Sequence, residues 1–142
     1  MLFRSVTATY AGKTLVGATS LNVQVTGTGL VPAGSSAAVL NVTATNTTQP
    51  GFLTVYPTGN TLPVVSNLNF TAAETVANLV TVPLSSTGMA TIYNSAGSTD
   101  VIVDVEGYYT STPSVNGSGL YNAITPLRAL GALGFGAPLT LL

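Results

Sequence analysis

Apolar and polar residues alternate one for one through a succession of short segments, and this period of two constrains the chain more than any other feature. In DVIVDVEGYY at 100–109, Val101, Val103 and Val105 fall on one side of an extended strand, with Asp100, Ile102, Asp104 and Glu106 on the other. AAVLNVTATN at 37–46 behaves alike: Leu40, Val42 and Ala44 face one way, and Val39, Asn41, Thr43 and Thr45 the other. TSLNVQVTG at 19–27 sets Leu21, Val23 and Val25 in a row. SVTATY at 5–10, FLTVYP after Gly51, PVVSNLNFT at 63–71, ETVANLVTVPL at 74–84 and GMATIYN at 88–94 complete the set, and no segment carries a convincing helical stripe. Glycine and proline punctuate the strands, as in GTGLVPAGSS at 27–36 and PTGN at 57–60. In TTQPG at 47–51, Pro50 suits the first corner of a turn and Gly51 the positive φ of the second. About eight short strands separated in this way predict an all-β fold, an antiparallel β-sandwich of jelly-roll or immunoglobulin-like type.

The segments 37–59 and 76–97 echo each other, most visibly where FLTVYPTG meets MATIYNSAG. Both read as strand, turn, strand, ending in an aromatic before a glycine-containing turn. The echo predicts two related hairpins facing each other across the core.

A chain of 142 residues is most simply one domain with one core. Hydrophobic residues make up 46% of it and charged residues only 5%, so polarity comes from Thr, Ser and Asn. A net charge of −1 offers no field to attract phosphate backbones, which argues against nucleic acid as a partner. It also leaves little repulsion between copies, which favours self-association. No cysteine or histidine is present, which removes disulfides, thiolate nucleophiles, Ser-His-Asp triads and the Cys- or His-dependent zinc sites. GTGLVPAGSS lacks the GK[ST] of a phosphate loop, and no cofactor is expected. The longest apolar run, ALGALGFGAPLTLL at 129–142, is broken by three glycines and a proline and is too short for a transmembrane span.

Asp104 and Glu106 raise the possibility of catalysis. On one face of a strand they would lie roughly 6.5–7 Å apart, within the range of an inverting glycosidase pair. Such chemistry also needs a sugar cleft and an acid of raised pKa, and nothing in the sequence locates a cleft. No catalytic residues are therefore assigned. Asp100, Asp104 and Glu106 remain weak candidates for a hard cation, against the simpler reading of a solvated or locally hydrogen-bonded strand face. Among the aromatics Phe52, Tyr56, Phe70, Tyr93, Tyr108 and Tyr109, the ligand-contact candidates are Tyr56, Tyr93, Tyr108 and Tyr109, because an aromatic body with a polar tip suits a sugar face or a protein neighbour. Adjacent Tyr108 and Tyr109 must point to opposite faces of an extended strand, one toward the core and one available.

AVLNVTATNTTQPGFLTVYPTG, SNLNFTAAETVANLVTVPL and IYNSAGSTDVIVDVEGYY resemble the repeated module of large secreted and cell-surface proteins of actinobacteria and related bacteria. There the module accompanies amidase, protease or hydrolase domains. The resemblance runs from about Thr14 to Tyr109 and implies an exported, repeated, accessory unit without chemistry of its own. In that family the GYY strand leads through a Ser/Gly/Thr linker to a Thr-Pro-x-Arg element and a Leu-Asp-Thr-Arg-like continuation. Here TSTPSVNGSG occupies the linker position, and Thr125, Pro126 and Arg128 match the element, while GAL at 131–133 replaces the aspartate and second arginine. The chain thus resembles a unit cut out of phase or a diverged terminal unit.

The expected organisation is a sandwich module over 1–109, a linker over 110–119 and an apolar tail over 120–142 that adds an edge strand or begins a following unit. MLFRSVTATYAGK lacks the basic and apolar regions of a signal peptide, so an exported protein would carry its leader elsewhere. The expected role is a non-catalytic structural or scaffold module of a bacterial surface protein. Its partners would be copies of itself or adjacent modules, assembled by edge-strand addition through Leu139, Leu141 and Leu142. The alternative is a carbohydrate or cell-wall binding module whose partner is a cell-wall glycan.

Overall fold

The structure, a computed structural model, describes residues 14–27, 29, 31–110 and 121–130, the stretch 122–130 by its backbone alone. It is an all-β antiparallel sandwich. The strands are β1 Leu15–Val16, β2 Thr19–Gln24, β3 Ala37–Thr45, β4 Gly51–Pro57, β5 Leu68–Phe70, β6 Val76–Pro83, β7 Met89–Asn94, β8 Ser98–Tyr109 and β9 Tyr121–Leu130. The strand expected at 5–10 lies outside the described residues.

One sheet has the order β1-β8-β3-β6, and the other β2-β7-β4-β5. β1 pairs with β8 at Ser98 and Thr99, while β9 pairs with it from Val103 to Tyr109, so the two share the β8 edge opposite β3. The pairings β1–β8, β2–β7, β3–β6 and β4–β5 are those of one long hairpin rolled up into two layers. That is the jelly-roll order. An immunoglobulin-like order places several consecutive strands side by side, whereas among the first eight strands here only β4 and β5 are both consecutive and adjacent.

The alternation places the core where the sequence puts it. Leu40, Val42 and Ala44 of β3 and Val101, Val103 and Val105 of β8 meet Val23, Leu53, Val55, Ala90 and Ile92 from the other sheet, all buried. Full burial of a side chain of this size is worth about 1.5–3 kcal/mol, so the shared core is the main source of stability.

Three expectations need correction. The segments 37–59 and 76–97 are not hairpins facing each other across the core. Each is an arch that starts in one sheet and ends in the other, and the two lie side by side, β3 beside β6 and β4 beside β7. The echo has a matching spacing, since residues 46–50 and 84–88 bridge the layers in the two arches. Gly51 is not the positive-φ corner of its turn; that position belongs to Asn46, at φ 52°. Gly51 opens β4 in a place where a Cβ would lie 3.0 Å from Ser95 Oγ and 3.1 Å from the Phe70 ring, so close packing is what calls for glycine. The strand expected over 63–71 shrinks to Leu68–Phe70. The Asn67 side chain accepts from Val55 N–H at 2.7 Å, ending the β4–β5 ladder, and the Thr54 hydroxyl donates to Val65 C=O at 2.6 Å. These two bonds fold 58–67 back over β4.

Candidate functional site

β8 separates its acidic residues. Asp100, predicted on the outward face, is only 6% exposed. It accepts from the Thr14 hydroxyl at 3.0 Å and from Asn46 Nδ2 at 2.8 Å. The carboxylate ties the start of β8 to the segment before β1 and to the left-handed turn residue after β3, which is a structural use of its oxygens. Asp104 lies in the outward row of the sheet, its ladder partners being Asn41 on β3 and Arg128 on β9. Glu106 is skipped by both ladders: Leu40 pairs with Val105 and Val39 with Gly107, and β9 likewise passes from Val105 to Gly107. It is the extra residue of a β-bulge. The regular spacing that made Asp104 and Glu106 a candidate pair therefore does not hold. No group of three or more His, Cys, Asp or Glu side chains converges among the described residues.

The bulge also decides the tyrosines. Unbroken alternation from Val105 would turn Tyr109 inward and Tyr108 outward. The extra residue reverses this, so that Tyr108 pairs with buried Ala38 and packs against the core. Tyr109 turns outward, its ring 5.3 Å from that of Tyr121 at the start of β9. Gly107 lies under the Tyr121 ring, and a Cβ there would overlap it.

Tyr56 and Tyr93 come together on the outer face of the other sheet. Thr54 of β4, Tyr93 of β7 and Ser20 of β2 form one row across it, and Tyr56, Thr91 and Asn22 the next. Phe52 stands beside Tyr93, the ring centroids 6.5 Å apart and the planes inclined at 53°. With Leu62, Pro63, Val64, Val65, Thr54 and Ser66 these two rings line a groove of about 430 Å³. Val64 at its rim is fully exposed. The polar side chains of the face are joined to one another: Thr91 donates to Asn22 Oδ1 at 2.8 Å, the Thr58 and Thr91 hydroxyls are 2.9 Å apart, and Ser20 Oγ is 3.5 Å from Tyr56 Oη. β2, β4, β5 and β7 contain no charged residue.

Sequence reasoning missed the groove because its wall, Leu62 to Ser66, reads as the beginning of a strand. Pro63 in TLPVVSN, which interrupts any ladder, was the available signal. The assembly candidates Leu139, Leu141 and Leu142 lie outside the described residues. No helix among the described residues is long and apolar enough to cross a membrane. Searches of protein-family models, curated proteins and solved structures find no match to the chain.

Proposed function

We propose that the chain is a non-catalytic structural module of an exported bacterial surface protein, which associates with copies of itself by exchange of β9, the last described strand. The observation that carries this reading is β9 on the β8 edge, antiparallel from Tyr109↔Tyr121 to Val103↔Leu130 and reached through the Ser/Thr/Gly-rich residues 111–120. A strand supplied through such a connection can complete its own sheet or a neighbour's with the same hydrogen bonds. The low charge of the chain makes close approach of copies inexpensive. Export and surface location rest on the resemblance of the strand motifs.

Light scattering and negative-stain microscopy should compare the full chain with one ending at Thr110. Concentration-dependent oligomers are expected from the full chain only. Asp104 and Arg128 are ladder partners in a protein without cysteine, so D104C/R128C introduces a single possible disulfide. Exchange would join different chains, visible as covalent multimers on non-reducing gels. Monomers at every concentration, together with a disulfide formed only within the chain, would overturn the proposal.

A further inference from the structure

We infer that the outer face of the β2-β7-β4-β5 sheet binds an uncharged polysaccharide, held on the rings of Phe52 and Tyr93 in the groove bounded by Leu62 to Ser66. All four acidic residues lie elsewhere, Glu74 in the turn before β6 and the other three on β8, and the strands of this sheet supply no charged group of either sign. An acidic glycan, a phosphate or a charged peptide would find no opposite charge on these strands, and an unpaired charge is costly. A neutral ligand has no such cost.

An extended peptide laid in an apolar groove brings backbone N–H and C=O groups that need partners, usually an open strand edge. β4 has no open edge beside the groove: β7 pairs along one side, β5 along the other as far as Leu53, and the Asn67 carboxamide takes the Val55 N–H beyond it. What the face offers instead is side-chain hydroxyl and amide groups. Asn22 uses Oδ1 to accept from Thr91, leaving its Nδ2 as a donor, and Tyr56 and Ser20 lie at the solvent surface. These groups match sugar hydroxyls, which both donate and accept.

A pyranose presents C–H groups on its faces and hydroxyls around its rim, so it rests on an aromatic ring while its edge reaches polar side chains. Phe52 and Tyr93 supply two inclined rings, and the aliphatic wall shields one side from water. Fixing that wall are the Thr54–Val65 and Val55–Asn67 bonds, so the groove exists before the ligand arrives. From Phe52 to Tyr56 the face runs about 13 Å along β4, and from β4 to β2 about 10 Å, room for a short run of sugar units rather than a single one.

The test uses the full chain, with cellohexaose and chitohexaose in calorimetric titrations and with cellulose and chitin in sedimentation assays. Saturable binding to at least one of them is expected. Phe52→Ala and Tyr93→Ala should each weaken it about tenfold or more. Phe52→Leu keeps apolar volume and removes the ring, so it should weaken binding even where an alanine variant fails to fold. Leu79→Ala, at an exposed position on the other sheet, should change nothing. Absence of binding to all four probes would overturn the inference, as would binding that survives loss of both rings. Self-association abolished by Val64→Ser, with no glycan binding, would assign the face to a second copy and equally overturn it.

Discussion

The two outer faces of the sandwich are built on the same alternation over the same core, yet one sheet carries Asp100, Asp104, Glu106 and Arg128 while the strands of the other carry no charge. On the β8 side the strands lie edge to edge: β3, β1 and β9 all pair with β8, and Tyr121 lies against Tyr109. On the β4–β7 side a loop folds over part of the sheet and leaves rings and hydroxyls beside it. Inward positions are fixed by packing, whereas outward positions are open to divergent use. Here one sheet gains a further strand at the β8 edge, and the other has two rings beside a groove.

Neither sheet stands alone, because both bury the same core. Leu40→Ala in the first sheet and Ile92→Ala in the second remove side chains that are both 1% exposed, and each should cost about 2–5 kcal/mol in chemical denaturation. Both variants should still unfold in one transition by every probe; two separate transitions would mean that the faces rest on separable units.

A smaller effect tests the buried acid. Asp100→Ala removes the acceptor of Asn46 and Thr14 and should cost about 1–3 kcal/mol in urea unfolding. A neutral outcome would leave that carboxylate available for another role. On the opposite face, Thr54→Val deletes the hydroxyl that holds Val65, at about 1 kcal/mol. Faster amide exchange at Val55 and Asn67 is expected with it, and unchanged exchange would show that the loop is held by other contacts. The smallest effect belongs to Glu106→Gln, expected within about 0.5 kcal/mol of the parent because the bulge residue takes no part in either ladder. A larger loss of stability would mean that the carboxylate has a structural partner.

The alternation alone specified β2 to β4, β6 to β8 and the core, whereas β1 went unmarked and β5 is shorter than expected. Leu40, Val42, Ala44, Val101, Val103 and Val105 are buried as their spacing predicts, because a period of two leaves a strand one apolar face to hide. Tyr56 and Tyr93 were recognisable as available rings by residue type, though nothing local placed them beside each other. The tertiary structure alone decided the rest. Rolling the chain into paired arches brought Asn46 to Asp100, and a ladder that skips Glu106 exchanged the faces of Tyr108 and Tyr109. A β4 hydroxyl holds Val65 in a groove wall where the sequence reads as a strand. The first two outcomes depend on hydrogen bonds between segments distant in the chain, such as the 86-residue separation of Thr14 and Asp100, and a local pattern holds no information about which distant donor will arrive.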